Sequence, residues 1–189
     1  GITPGTGTAN ANLSGAQTQA AIAGVATFAN LSIDSSGTGY TLNASNAGLP
    51  IATSGAFAIS PDAAVQLAFT TQPSDGIAAM PLGPVRVTAR DQFGNTAAFT
   101  GDVTVAITAN TGTAGAVLSG TIPRAATAGV ATFDDLSINL EGSGYTLTAS
   151  SGALAQATSG AFAITPDVFS RDRKSTRQNS SHSSVSRMP

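Results

Sequence analysis

The residues of this chain that could carry chemistry fall into a few small groups. Asp91, Gly94 and Asn95 form an Asp-x-x-Gly-Asn turn whose side-chain oxygens could ligate calcium. A calcium loop needs about six to eight oxygen ligands, and this spacing does not provide them. Asp and Asn in a tight turn bond their own backbone, and Gly supplies positive φ, so the three residues are read as a structural turn. Asp134 and Asp135 are adjacent carboxylates, read as a solvated turn rather than a calcium site between domains. Tyr40 and Tyr145 are read as structural corners, with the hydroxyl on backbone, rather than as ligand contacts. Thr6 and Thr8, like Thr111 and Thr113, are too few for a flat threonine-rich binding face. A serine or cysteine nucleophile needs an activating base within hydrogen-bond reach, yet the chain has no Cys and its one His is His182. No glycine-rich phosphate loop or zinc-ligand cluster occurs. The expectation is no enzyme: no catalytic, cofactor-binding or metal-ligating residue, and no cofactor.

What must position these residues is a repeat. Ala23-Gly24-Val25-Ala26-Thr27-Phe28 returns as Ala128-Gly129-Val130-Ala131-Thr132-Phe133, and Gly39-Tyr40-Thr41-Leu42 as Gly144-Tyr145-Thr146-Leu147. Thr53 to Ile59 returns as Thr158 to Ile164, and Pro61-Asp62 as Pro166-Asp167. The offset is 105 throughout (133 − 28, 145 − 40), with 39 of 62 aligned positions identical and no gap. Loop lengths are therefore shared as well as strands. A period of this size exceeds that of solenoid repeats and matches a whole domain. Residues 63–167 are expected to be one complete copy. Residues 1–62 are read as the C-terminal part of a truncated preceding copy, poorly stable because its opening strands are absent. At the places of Asp134 and Asp135 the first copy has Ala29 and Asn30, so a calcium site there could not be common to every copy.

Charge is sparse, at 10% of residues, and unevenly spread. Residues 1–167 hold three bases (Arg86, Arg90, Arg124) and nine acids, a net of 3 − 9 = −6, whereas 168–189 hold five bases and one acid, 5 − 1 = +4. The repeats carry no basic patch, which argues against nucleic-acid binding. No apolar run reaches the roughly 18 residues of a membrane-spanning helix. Absence of Cys is compatible with a secreted domain of this length, because about 105 residues bury enough surface without disulfides.

Within 63–167, short alternating runs separated by turn residues predict an all-β domain of seven or eight strands. Val65, Leu67 and Phe69 mark the first. Val85, Val87 and Ala89 mark the second, with Arg86 and Arg90 on its solvent face. Ala97 to Phe99 is expected to be a third strand, and Val103, Val105 and Ile107 the next. Ala131 and Phe133 lead across Asp134-Asp135 to Leu136 and Ile138. Tyr145, Leu147 and Ala149 follow, and Phe162 and Ile164 close the unit. Glycine and β-branched residues at this density disfavour helix. The expected core anchors are Phe69, Phe133, Leu136, Tyr145, Leu147 and Phe162.

Three stretches carry a family resemblance. Val85 to Arg90 with Asp91-Gln92-Phe93-Gly94-Asn95 resembles the strand and turn of invasin-type modules. Gly129-Val130-Ala131-Thr132-Phe133 followed by Leu136, and Gly144 to Ala149 with a tyrosine corner, resemble the same group. The chain is similar to bacterial immunoglobulin-like tandem repeats of surface adhesins and other large secreted proteins, over 63–167 fully and 1–62 in part. The resemblance implies an immunoglobulin-like β-sandwich, one complete domain plus a truncated preceding copy. It also implies an extracellular or cell-surface location and a stalk that spaces a distal binding domain from the cell. Its partners would be neighbouring repeats of the same chain. The alternatives are an adhesive module that contacts a host protein or glycan through its loops, and a linker module of a secreted multidomain hydrolase.

After Pro166-Asp167 the pattern stops. Residues 168–189 are Arg/Ser-rich without strand period and are read as a disordered tail, a non-native read-through. At the junction, Ala58 to Ala64 runs one copy almost directly into the next, and Pro61 stiffens it by fixing φ.

Overall fold

The computed structural model describes residues 1–167, and no helix occurs among them. The expectations for 168–189, His182 included, concern residues outside that range. The described chain forms two compact units: Gly1–Val65 with Ala89–Phe99, and Gln66–Thr88 with the residues from Thr100 on.

The strands of residues 1–62 are β1 (Leu13–Ser14), β2 (Ser32–Ile33), β3 (Gly37–Tyr40), β4 (Asn43–Ala44), β5 (Ala52–Thr53) and β6 (Phe57–Ile59). Those that follow are β7 (Gln66–Thr71), β8 (Gly76–Ile77), β9 (Val85–Arg90), β10 (Asp102–Ile107), β11 (Leu118–Ser119) and β12 (Arg124–Ala125). The last are β13 (Val130–Phe133), β14 (Ser137–Ile138), β15 (Gly142–Tyr145), β16 (Leu147–Ser150), β17 (Ala157–Thr158) and β18 (Phe162–Thr165).

In the second unit two sheets face each other. One has the order β13-β9-β7, the other β12-β10-β16-β17. β13 runs antiparallel to β9, with Phe133 opposite Val85 and Ala131 opposite Val87. β10 runs antiparallel to β16, with Val105 opposite Ala149. Alternation does the rest, because successive side chains of a strand point to opposite faces. Val85, Val87, Ala131 and Phe133 are buried, and so are Val103, Val105, Leu147 and Ala149, whereas Arg86, Thr132 and Thr104 are exposed. Leu136, Ile138 and Tyr145 complete the core at 0% exposure. The opening strand changes sheets: after β7, β8 pairs in parallel with β18, Gly76 opposite Ile164. β7, β9 and β13 in one antiparallel sheet, and β10, β16 and β17 with β12 at the edge in the other, make the two-sheet arrangement of an immunoglobulin-like sandwich. The protein is all-β and has that fold.

Five sequence expectations change in detail. Ala97 to Phe99 is not a strand. The Ala97 amide reaches the Ala89 carbonyl, but the Phe99 amide then turns back onto Ala97, which ends the ladder. Phe69 is half-buried and Val65 is 48% exposed, so neither anchors the core. Thr88 is buried although its parity places it outward, and its hydroxyl is satisfied by Thr70 at 2.8 Å. Arg90 is half-buried rather than on a solvent face. The strand expected through Tyr145, Leu147 and Ala149 is split at Thr146.

Residues 1–62 repeat part of this pattern inside the first unit. The β1–β2 pair, with Leu13 opposite Ile33, matches β11–β14, with Leu118 opposite Ile138. The β3–β6 pair carries the same register shift as β15–β18, and β4–β5 matches β16–β17. Residues 19–20 and 25–28, the counterparts of β12 and β13, form no strand. β12 and β13 pair with β10 and β9, and no described segment pairs with 25–28 in that way. Ile22 is therefore 82% exposed, Val25 64% and Phe28 38%.

Candidate functional site

The most constrained polar geometry lies at two tyrosine corners and at the turn that holds one of them. Tyr145, fully buried, donates its hydroxyl to the Leu140 carbonyl at 2.9 Å and lies 5.9 Å from the Phe162 ring. Tyr40, also fully buried, donates to Ser35 at 2.8 Å and lies 6.0 Å from Phe57. Beneath each ring is a glycine with positive φ, Gly112 (65°) or Gly7 (67°). A Cβ on either would collide with the tyrosine ring. The threonines beside them serve the same corners. Thr8 and Thr113 donate to the carbonyls of Ser36 and Glu141, while Thr6 and Thr111 close turns on Thr3 and Thr108.

Residues 34–36 and 139–141 are thus presented alike. The Asn12 amide donates to the Asp34 side chain at 2.8 Å, and the Val117 amide to the Asn139 side chain at 2.7 Å. Different side chains, Asp and Asn, offer the same oxygen.

The Asp91 turn belongs to the first unit. Asp91 is fully buried, and its carboxylate accepts hydrogen bonds from Asp62, Phe93 and Asn95. Phe93 and Asn95 amides donate to Oδ1 at 2.9 Å each. The Asp62 amide donates to Oδ2 at 3.1 Å, and Asn95 Nδ2 does so at 2.9 Å. An ionised carboxylate offers about four lone-pair sites, and these donors engage them as a turn acceptor. Burial alone raises the Asp91 carboxyl, but the hydrogen bonds from Asn95, Asp62 and Phe93 outweigh it and hold the carboxyl below its ordinary value. Gly94 supplies the left-handed residue at φ 87°, which glycine alone adopts without Cβ strain.

Asn95 also reaches across the chain. Its Nδ2 donates to the Asp34 carbonyl at 2.8 Å, and its Oδ1 accepts the Ser36 amide at 2.9 Å. Sequence reasoning missed this contact and the part played by Asp62. Asn95 and Asp34 are 61 positions apart, and a contact made to backbone leaves no mark on residue type.

Asp134 and Asp135 meet Arg124, at 2.7 Å and 3.4 Å. Asp135 Oδ2 also accepts the Thr121 amide and hydroxyl, at 3.0 Å and 2.6 Å. The Thr121 side chain and amide, more than Arg124, hold its carboxyl below the ordinary value. In the first copy Asn30 Oδ1 accepts the Ala16 amide at 3.0 Å in the equivalent place. The loop preceding Arg124 contains a cis Ile122–Pro123 bond where the first copy has Gln17-Thr18. Among the described residues, no three His, Cys, Asp or Glu side chains gather to hold a metal. A shallow cleft along residues 2–11 contains no ionisable side chain.

No family model matches the chain, and no curated protein does. Among solved structures it is similar to domains 4–9 of the surface layer protein SbsC, at 20% identity and TM-score 0.36, over 70% of this chain and 18% of that one. It is also similar to a chimeric titin Z1Z2-Z1Z2 tandem carrying a fibronectin-derived GRGDS peptide, at 18% identity and TM-score 0.29, over 70% of this chain and 65% of that one. The chain thus spans less than two thirds of either. The fold assignment rests on the strand order given above, not on these likenesses.

Proposed function

We propose that this chain is a stretch of a tandem array whose copies act as non-catalytic spacers in a bacterial cell-surface or secreted adhesin. Each copy would help to hold a distal binding domain away from the cell. The observation that carries this reading is the hydrogen-bonded connection between consecutive copies. The Asp62 amide, at the end of one copy, is bound by Asp91 of the next, and Asn95 holds residues 34 and 36. Polar contacts on both sides of a proline-containing joint restrict its freedom, which suits a semi-rigid rod. Small-angle scattering on chains of increasing copy number tests it. A maximum dimension that grows in proportion to copy number is the expected result. Growth as roughly the square root of copy number, as for a flexible string, would rule the rod out.

A second reading has one observation in its favour. The loop cluster of Arg124, Asp134 and Asp135 is charged, whereas the first copy has Gln19, Ala29 and Asn30 there. Loops that change chemistry between copies suit a module contacting a host protein or glycan. A glycan array probed with this chain and with the Arg124→Gln variant separates the two. Binding that the variant loses would support an adhesive module over a spacer.

A further inference from the structure

We infer that the corner at Asn139–Glu141 is the docking surface for a following copy of the same repeat, gripped by that copy's own Asp-x-x-Gly-Asn turn. The inference rests on the reading of the chain as part of a tandem array, and it names the surface that joins the copies.

The template is the corner at Asp34–Ser36. A primary amide can donate and accept at once, and Asn95 uses both capacities, Nδ2 on the Asp34 carbonyl and Oδ1 on the Ser36 amide. A third contact, to Asp91 Oδ2 at 2.9 Å, fixes which end is the nitrogen and keeps the amide plane aligned. Alanine lacks both groups, and aspartate would set an oxygen against a carbonyl.

The corner at Asn139–Glu141 is built by the same contacts at the same offset. Tyr145 holds the Leu140 carbonyl as Tyr40 holds that of Ser35. Thr113 holds the Glu141 carbonyl as Thr8 holds that of Ser36. The Val117 amide holds the Asn139 side chain as the Asn12 amide holds that of Asp34. The Asn139 carbonyl and the Glu141 amide therefore occupy the positions that Asn95 reads in the first copy. Residues 34–36 are Asp-Ser-Ser and 139–141 are Asn-Leu-Glu. The Asn95 grip touches backbone atoms alone, so this difference does not prevent it. A clasp of this kind lets any copy follow any other while loop sequences vary.

The test uses a chain in which Ala63–Asp167 is repeated directly after Asp167, with amide hydrogen exchange as the readout. The Glu141 amide should exchange about tenfold more slowly than when the added copy's asparagine, the counterpart of Asn95, is replaced by alanine; one hydrogen bond carries about that factor. Ser36 is the internal standard, and Asn95→Ala in the present chain should speed its exchange similarly. A Ser36 amide indifferent to Asn95→Ala would remove the template and overturn the clasp. If the added copy folds and lengthens the particle in scattering, but Glu141 ignores its asparagine, the clasp fails and the spacer reading stands. If the added copy does not fold or the particle does not lengthen, the array reading fails and takes the clasp with it.

Discussion

Tyr40 and Tyr145 are equally buried in the two copies, yet Phe28 and Phe133, identical by alignment, are 38% and 0% exposed. The difference separates two kinds of stability in one repeat. The corner is closed by residues within the same 62-residue stretch: a glycine, a threonine, a carbonyl five positions back and one phenylalanine. The phenylalanine of the Val-Ala-Thr-Phe segment depends on a distant partner. In the second unit that partner is β9, where Val85 sits opposite Phe133. No described strand plays that part for 25–28.

The largest effect tests that difference directly. Phe133→Ala should cost about 3–5 kcal/mol, the usual range for truncating a buried phenylalanine. Against a typical total of about 5–15 kcal/mol, that could unfold the second unit. Phe28→Ala, at a partly solvated ring, should cost about 1 kcal/mol or less. Urea melts of the two variants give the answer. Equal shifts in midpoint would mean that strand pairing at β9 does not set the burial of this residue.

The corners should respond alike where the phenylalanines do not. Gly112→Ala and Gly7→Ala each place a Cβ into a tyrosine ring at positive φ. Each should cost about 1–3 kcal/mol, read by thermal melting together with the tyrosine ring resonances. Tyr145→Phe and Tyr40→Phe remove one hydroxyl hydrogen bond each and should cost about 1 kcal/mol. A pronounced asymmetry within either pair would show that the corner, too, depends on the partner strands.

The fold was legible in sequence because its signals are periodic or local. Val85-Arg86-Val87 and Val103-Thr104-Val105 alternate as a half-buried strand must, and Gly-Tyr-Thr-Leu announces the corner. The misses have a common cause. Ala97 to Phe99 looks like a strand, but only a hydrogen-bond ladder makes one, and the Phe99 amide turns back on Ala97. Thr88 looks outward by parity, and Thr70 from another strand buries it. Phe69 has the size of a core anchor, but size does not specify burial. At the Asp91 turn, the self-bonding pattern was readable from Asp, Gly and Asn. The reach of Asn95 to residues 34 and 36 was not, because its acceptor and donor are main-chain atoms.

The smallest effect concerns a single titrating atom pair. Asp135 and Asn30 hold equivalent amides, those of Thr121 and Ala16, but only Asp135 ionises. Its carboxyl is held below its ordinary value, first by the Thr121 hydroxyl and amide. A depressed native value means that the unfolded chain binds the proton more readily. The contribution is therefore fully present above the unfolded value and is lost as pH falls through the lower native one. As pH falls through the lowered Asp135 value, the Thr121 amide resonance should titrate, while that of Ala16, held by the non-ionising Asn30, should not. Asp135→Asn copies the first copy's chemistry and should abolish the Thr121 response with little change in folding at neutral pH. If the Thr121 amide titrates unchanged in that variant, the lowered carboxyl is not what holds this loop.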